Sequence, residues 1–358
     1  MSTGSNKPAN VIESRLKVLF ICRGSASDGL GHVMRSGTVA HAMIRTTIVK
    51  MIVIGDEYVN NVLADKGFNY IVVANDEQAM LSFHEFNPAI VIFDLLQLNE
   101  TNFETISQST MTISLSPIFN RLLGVDMIFH RTSITGKDWQ VTSPRPLIRS
   151  GLEYAIINEN CYLIPEDIYQ QNLEHEILSL AISMGGTDAA NKTLQVLNII
   201  KQIPGKLLLW VMLGEGYAHS YQDLVECMRG SKHSIILAKT NDSIWRVLST
   251  CSLAILAGGI MTYEAAYAGL PSVNTLESDQ HFFLIQELVD RGACLCAGQT
   301  FNESLIKLTD IVSHLNNNRN ELLQMHKCSR GLIDGLGSQK VINEIQQYYF
   351  NYQAHQQM

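Results

Sequence analysis

A histidine stands in a glycine-rich turn near the start of the chain, in Gly29-Leu30-Gly31-His32, and Arg35 follows it. A neutral imidazole takes up a proton near pH 7, so His32 is a candidate general base. The glycines would let the backbone approach a ligand closely. On a helix, Arg35 would lie close to His32, where it would either bind a phosphate or pair with a carboxylate. The alternative for His32 is a capping or core role, which the glycines and the strand-to-helix context disfavour.

A second turn contains the glycine pair Gly185-Gly186, between an apolar run and a segment with helical periodicity. Thr187 or Asp188 is the expected N-cap of that helix, and Asn191 follows in the same motif. Paired glycines permit positive φ, so we expect this turn to contact a ligand together with the helix N-terminus. A tight turn capped by Asp188 is the alternative interpretation.

A third turn, Gly258-Gly259, precedes a helix predicted to begin near Met261. The backbone N–H groups of Met261 and Thr262 would then point at a phosphate. Glu264 is predicted to lie in the first turn of this helix, where its carboxylate could accept hydrogen bonds from two ribose hydroxyls. The pattern predicts a nucleotide site, while a capping-box or solvated role for Glu264 is the alternative.

Strand-like apolar runs alternate with helix-length segments from residue 17 onward, and the same pattern begins again near residue 178. This alternation is typical of parallel sheets covered by helices, so we predict an α/β fold of two doubly wound, Rossmann-like domains. Ligands of such sheets bind at the carboxyl ends of the strands. The two sheets are therefore expected to face a central cleft.

The predicted boundaries follow from composition. Residues 1–14 are polar and are expected to be a flexible segment, followed by a first domain over 15–157. Residues 158–176 contain several Gln and Glu and no strand, so they are predicted to be the linker. The second domain is placed at 177–345 and a C-terminal tail at 346–358.

Composition excludes several classes of function. Of its 358 residues, 46% are hydrophobic and 17% are charged, which is typical of a compact globular protein. A net charge of −8 without a basic cluster argues against nucleic acid as a partner. Seven cysteines without CxxC pairs indicate neither a metal site nor a disulfide framework. No signal-peptide core or membrane-length apolar run is seen, so a cytoplasmic protein without stable membrane insertion or cofactor is expected.

Several motifs, in this order along the chain, resemble the UDP-sugar hydrolase family of pseudaminic acid biosynthesis. The related spore-coat polysaccharide proteins share them, as does, more distantly, the glycosyltransferase that adds GlcNAc to the peptidoglycan lipid intermediate. The resemblance runs from about residue 17 to 340 and is carried by Gly29-Leu30-Gly31-His32-Val33-Met34-Arg35, Ser183-Met184-Gly185-Gly186-Thr187-Asp188-Ala189-Ala190-Asn191, Gly258-Gly259-Ile260-Met261-Thr262-Tyr263-Glu264, Gly269-Leu270-Pro271 and Asp279-Gln280.

The resemblance implies the two-domain GT-B architecture, with a nucleotide sugar as substrate and the nucleotide held mainly by the second domain. It implies that His32 activates a water that displaces UDP at the anomeric carbon, and that Glu264 binds the ribose. Asp279 and Gln280 would lie near the sugar. Asp94, at the end of a strand, would orient His32, hold a sugar hydroxyl or cap the next segment. The diphosphate would be held by Gly258, Gly259, Met261 and Thr262.

The sugar side of the chain departs from the family pattern at several positions. Ser25 stands where the family has Asp, Asn158 where it has Arg, and Leu115-Ser116-Pro117 where it has an Asp pair. The nucleotide side matches better. The leading hypothesis is therefore a metal-independent nucleotide-sugar hydrolase, with a GT-B inverting glycosyltransferase and a catalytically silent nucleotide-sugar binding protein as alternatives.

Overall fold

The computed structural model describes residues 15–26, 29–64, 67, 69–97, 99–116, 124–134, 146–239 and 244–356. The segment 1–14, predicted to be flexible, lies outside the described residues. So do residues 27–28 of the first turn and residues 357–358 of the predicted tail.

The first domain is built on a seven-stranded sheet in the order β3-β2-β1-β4-β5-β6-β7, in which all described pairings are parallel. The middle of β1, from Val18 to Cys22, is apolar and buried, as expected for a strand with helices on both faces of its sheet. The strands are β1 (Lys17–Gly24), β2 (Ile48–Gly55), β3 (Tyr70–Val73), β4 (Ile90–Asp94), β5 (Met111–Ser114), β6 (Met127–His130) and β7 (Leu147–Ser150).

The second domain repeats this arrangement with six parallel strands in the order β10-β9-β8-β11-β12-β13. In both sheets the chain starts in the centre, moves to one edge and returns to continue toward the other, so ligands are expected beside the central strands. The strands are β8 (Leu178–Ser183), β9 (Leu207–Leu213), β10 (Ser234–Lys239), β11 (Leu253–Leu256), β12 (Ser272–Thr275) and β13 (Cys294–Gly298).

Helices connect the strands and cover the sheets. They are α1 (Gly31–Met43), α2 (Tyr58–Leu63), α3 (Asp76–Phe86), α4 (Glu100–Ser107), α5 (Glu166–Glu174), α6 (Lys192–Ile200), α7 (Tyr221–Met228), α8 (Ile244–Leu248), α9 (Ile260–Ala268), α10 (Phe283–Asp290), α11 (Phe301–Asn317), α12 (Arg319–Ser329) and α13 (Gly337–Gln356). The predicted pair of doubly wound α/β domains is confirmed.

The domain boundaries differ from the predicted ones at two places. Part of the predicted linker is the helix α5, whose Tyr169 is fully buried in the core of the second domain. The chain end, predicted to complete the second domain and then to form a tail, is instead one helix, α13. Its Val341, Ile342 and Ile345 are buried in the core of the first domain, because its apolar face covers that sheet.

Contacts between charged side chains tie α13 to the first domain as well. Nε of Arg149 in β7 lies 2.9 Å from Oε2 of Glu344. The chain therefore passes from the first domain to the second and back. Within the described residues, no helix is both long enough and apolar enough to cross a membrane.

Candidate active site

The three glycine turns predicted from the sequence meet where the two domains face each other. A Cβ placed on Gly31 would lie 3.6 Å from Cδ1 of Ile260 in the third turn. One placed on Gly186 in the second turn would lie 3.4 Å from Cδ1 of Leu30. The first turn therefore lies between the other two and is in contact with both.

These turns border a cleft of about 610 Å³, a volume typical of small-molecule sites. The carboxyl ends of β8 and β11 and the amino end of α1 form its walls. Nine of the predicted site residues line the cleft, namely Gly29, Gly31, Gly185, Gly186, Thr187, Asp188, Gly259, Met261 and Glu264.

Two helices point their N-termini into this region without a side-chain cap. The N-cap residues are Leu30 for α1 and Gly259 for α9, and neither residue type has a side chain that can accept a hydrogen bond. The unsatisfied N–H groups and the helix dipole make such a terminus favourable for an anion. Since Gly31 and Ile260 are neighbours, both positive ends act on the same part of the cleft.

The third helix at the cleft, α6, differs because a side chain of the preceding turn caps its N-terminus. The carboxylate of Asp188 accepts hydrogen bonds from the backbone N–H groups of Lys192 at 2.8 Å and Thr193 at 2.9 Å. Asn191 occupies the N-cap position with φ of 51°, and its Oδ1 accepts a hydrogen bond from the hydroxyl of Tyr217. The N-cap residue is therefore Asn191 and not the expected Thr187 or Asp188, while the Asp188 side chain caps the first turn from upstream, as in the alternative interpretation of this turn.

His32 is the second residue of α1, and its ring is held by Asp94 at the end of β4. Nδ1 of His32 lies 2.6 Å from Oδ1 of Asp94. A carboxylate can only accept, so Nδ1 carries the proton and Nε2 is left with the lone pair that a base needs. Of the three roles considered for Asp94, orienting His32 is the one that this geometry supports.

Asp94 also binds Arg35, which decides between the two roles expected for that residue. Arg35 donates from Nε to Oδ2 of Asp94 at 2.8 Å and from Nη2 to Oδ1, as a two-pronged pair. The hydroxyl of Ser36 lies 3.3 Å from Oδ2, and that of Ser116 lies 3.1 Å from Oδ1. Arg35 therefore pairs with a carboxylate.

The pKa of Asp94 reflects these partners. Burial of the carboxyl would raise its pKa, but the charges of Arg35 and His32 outweigh burial and hold the pKa well below its usual range. Asp94 is thus a permanent anion beside the imidazole. An anion at this place stabilises the positive charge that His32 acquires when it takes up a proton.

His32 and Arg35 do not line the main cleft. The side chain of His32 is 24% exposed. Arg35 borders a small adjoining cavity together with Arg131 and Tyr263. Ile260 borders both spaces, so the small cavity beside Arg35 and the cleft lie on either side of the amino end of α9.

Glu264 lies on the wall of the cleft, but in a different setting from the predicted one. The helix begins at Ile260, so Glu264 is its fifth residue and lies beyond the first turn. The residue is 8% exposed, and its Oε1 accepts a hydrogen bond from the backbone N–H of Asn158 at 3.4 Å. Burial raises the pKa of Glu264 to about 7, and Asn158 and the indole of Trp245 offset only part of this rise.

The remaining predicted residues are placed away from the cleft wall. Thr262 is buried; its hydroxyl donates to Oδ1 of Asn274 at 2.6 Å, and its N–H donates to the carbonyl of Gly259. Gly258 has φ of 74°, and a Cβ there would lie 2.4 Å from Leu276, so it shapes the turn. Asp279 and Gln280 are exposed in a short 3-10 helix over 279–281.

Sequence reasoning missed a charged pair on the cleft wall. Lys192, at the start of α6, forms an ion pair with Glu277, which follows β12. The two residues are 85 positions apart. Lys192 directly follows the second glycine motif, and that position at a helix start was the one signal available.

Comparisons with known proteins support the fold assignment. No family model matches the chain. A protein of Methanocaldococcus jannaschii, MJ1062, is 22% identical over 270 residues, which are 72% of this chain but only 55% of that protein. The spore coat polysaccharide biosynthesis protein SpsG of Bacillus subtilis is 23% identical over 340 residues, covering 91% of this chain and 96% of SpsG.

Solved structures resemble most of the chain. MurG of Acinetobacter baumannii has a TM-score of 0.63 at 15% identity and covers 93% of this chain and 99% of MurG. UDP-GlcNAc 2-epimerase of Neisseria meningitidis, bound to UDP-GlcNAc, has a TM-score of 0.61 at 12% identity, with 93% and 100% covered. HepE of Anabaena, in complex with UDP, has a TM-score of 0.62 at 12% identity, and the match covers 93% of this chain and 100% of HepE. These likenesses confirm the predicted GT-B fold.

Proposed function

We propose that this protein is an enzyme that hydrolyses a nucleotide sugar and releases UDP or a similar nucleoside diphosphate. The observation that carries the proposal is the pairing of two features. A buried Glu264 carboxylate and two uncapped helix N-termini border one cleft, and an oriented His32–Asp94 pair lies beside it. UDP or UDP-GlcNAc is bound in two of the solved structures that share the fold.

The nucleotide occupies the side of the cleft formed by the second domain. Glu264 accepts hydrogen bonds from the ribose hydroxyls, since a buried carboxylate with few partners gains most from new donors. The diphosphate lies at the amino ends of α9 and α1, near Gly259 and Met261, where both helix dipoles favour negative charge. The backbone of the Gly185-Gly186 turn closes this side.

The sugar extends past Ile260 toward His32. Nε2 of His32 takes a proton from a water molecule as the water oxygen forms a bond to the anomeric carbon. The bond from that carbon to the phosphate oxygen breaks on the opposite face, and its electron pair leaves with the diphosphate. Asp94 stabilises the resulting imidazolium, and the helix N-termini stabilise the leaving phosphate. The product sugar has inverted configuration.

An inverting glycosyltransferase is the second candidate. The same histidine would deprotonate an acceptor hydroxyl in place of water. The likeness to the spinosyn rhamnosyltransferase SpnG supports this candidate, with a TM-score of 0.58 at 11% identity. Turnover with water alone distinguishes the two.

The test measures nucleotide release from a panel of UDP-, GDP- and CMP-sugars in buffer without acceptor. We expect release from one of them, and His32→Ala should slow it by about 10²- to 10⁴-fold, the usual contribution of a positioned base. His41→Ala is the matched control, because His41 is an exposed histidine in the last turn of the same helix.

Each outcome separates the candidates. Release that depends on His32 and not on His41 supports hydrolysis. Nucleotide binding without release favours the transferase, and addition of acceptors then tests it. Equal rates for His32→Ala and wild type would exclude His32 as the base.

A further inference from the structure

We propose that Lys192 binds the diphosphate of the substrate, and that Glu277 is the anion that Lys192 exchanges for it. This inference rests on the proposed function and adds a ligand-binding pair to it. The exchange involves no covalent chemistry. One ion pair of the protein is replaced by an ion pair between protein and substrate.

The charges on the cleft wall are the first observation that supports this inference. Among the described residues that line the cleft, four are acidic, namely Asp188, Glu215, Glu264 and Glu277, and Lys192 is the cation. A diphosphate would bring further negative charge into this acidic space. Since Asp188 is already engaged by two backbone N–H groups, the cleft needs a positive side chain to balance the ligand, and Lys192 supplies it.

The position of Lys192 carries the second step. Its backbone N–H is fixed by Asp188, so α6 begins with this side chain at the carboxyl end of β8. Nζ lies 5.0 Å from the centre of the Phe301 ring, and the side chain is only 15% exposed. The Phe301 ring and the start of α6 therefore hold the ammonium group of Lys192 at the cleft wall, while the aliphatic part of the side chain is packed against the protein.

Glu277 differs from Lys192 in its freedom. Its side chain is 63% exposed, on the loop after β12. An ion pair with such an exposed partner contributes little to stability, because water competes for the carboxylate. Glu277 can rehydrate where it stands. A diphosphate held at the neighbouring helix N-termini thus displaces it at small cost.

The experiment compares binding of UDP and of uridine by calorimetry. Lys192→Met should weaken UDP binding by about tenfold, as expected for loss of a charge-assisted contact, and leave uridine binding within about twofold. Glu277→Gln should strengthen UDP binding by about threefold, since the competing anion is gone. A merely structural role of the pair would predict weaker binding in both variants.

Two controls isolate the pair from general electrostatics. Glu215→Gln removes another exposed carboxylate of the same cleft wall and should change UDP affinity less than Glu277→Gln does. Lys206→Met removes an exposed lysine before β9, at the far end of the sheet, and should leave affinity unchanged. In the Lys192→Met background, Glu277→Gln should no longer strengthen binding, which is the coupling expected of two groups in contact.

The outcomes also separate this inference from the proposed function. If wild type binds UDP and Lys192→Met binds it equally well, the exchange is wrong and the nucleotide site stands. If the wild-type protein binds neither UDP nor any nucleotide sugar of the release assay, both the exchange and the proposed function are wrong. Equal loss of UDP and uridine binding in Lys192→Met would also contradict the exchange, because it would indicate a distorted cleft.

Discussion

Asp94 and Glu264 are both buried carboxylates beside the candidate site, one in each domain, and their surroundings are opposite. Asp94 receives hydrogen bonds from four side chains, those of His32, Arg35, Ser36 and Ser116. The Glu264 carboxylate accepts a hydrogen bond from one backbone N–H, at 3.4 Å. Burial acts on both groups, yet the pKa falls for Asp94 and rises to about 7 for Glu264.

The difference shows how the two carboxylates can be used. A buried charge is costly unless partners compensate it. Asp94 is compensated within the protein, so it can hold a base in place whether or not a ligand is bound. Glu264 is left with unused acceptor capacity on the wall of a cleft. A ligand with paired hydroxyls supplies the donors that the protein does not, and binding then relieves a cost already present in the fold.

The largest expected effect on stability comes from removing Asp94, the carboxylate whose charge is compensated by its partners. Asp94→Ala leaves the Arg35 guanidinium buried without its carboxylate, and we expect a loss of about 3–5 kcal/mol in the free energy of unfolding. Urea unfolding followed by circular dichroism measures it. Asp310→Ala, at an exposed aspartate of α11, is the control and should change little. A loss no larger than that of the control would contradict the role of Asp94 as the buried partner of Arg35 and His32.

The second predicted effect is a gain in stability, and it concerns Glu264, the carboxylate that has few hydrogen-bond partners. Glu264 has a pKa of about 7 in the folded protein against an ordinary 4.5. Between these values the folded protein keeps a proton that the unfolded chain has lost, so stability is fully present below pH 4.5 and is lost as pH rises through 7. Glu264→Gln removes this penalty, and we expect it to stabilise the protein at pH 8 by roughly 2–3 kcal/mol and not at pH 4.5.

Thermal and urea unfolding at the two pH values check this prediction. Glu85→Gln, at an exposed glutamate of α3, is the matched control. Destabilisation of Glu264→Gln at pH 8 would mean that the carboxylate is already compensated, and the comparison with Asp94 would fail.

A third, smaller effect connects the uncompensated carboxylate to the ligand. Wild type should bind UDP more tightly than 2′-deoxy-UDP by about tenfold, or ~1.4 kcal/mol, because one donor to Glu264 is missing from the deoxynucleotide. In Glu264→Gln the ratio should approach one. Calorimetric titration of both nucleotides gives the ratio directly. A ratio that stays unchanged in the variant would remove Glu264 from the ribose site.

The smallest effect sharpens the description of Asp94. Ser116→Ala removes one of its four partners, the hydroxyl 3.1 Å from Oδ1. Since Arg35 and His32 remain, we expect a loss of about 1 kcal/mol in unfolding free energy, as for an ordinary hydrogen bond. Urea unfolding measures it beside Asp94→Ala. A loss as large as that of Asp94→Ala would show that the carboxylate depends on this one donor.

Much of this fold follows from local sequence. Apolar runs such as 17–22 and 178–183 gave the strands, and the glycine pairs marked the turns that the structure brings together. These features depend on residues a few positions apart. The strands β7 and β13 are only partly buried, so their apolar pattern in the sequence is weak.

What could not be predicted depends on distant pairings. The His32–Asp94 bond spans 62 positions and was one of three roles considered, while the Lys192–Glu277 pair spans 85 and was missed. Helix α13 carries an apolar face through Val341 and Ile345, but nothing local states which domain that face covers. A sequence pattern indicates that a face is buried, and the tertiary fold decides where.

The return of α13 to the first domain has a mechanical consequence. The two domains share two covalent crossings, one near residue 157 and one just before Gly337. A single tether would leave the domains free to twist about it, whereas two tethers define a line. Rotation about that line is the relative motion that the backbone opposes least, so we expect any change in the width of the cleft to follow this one axis.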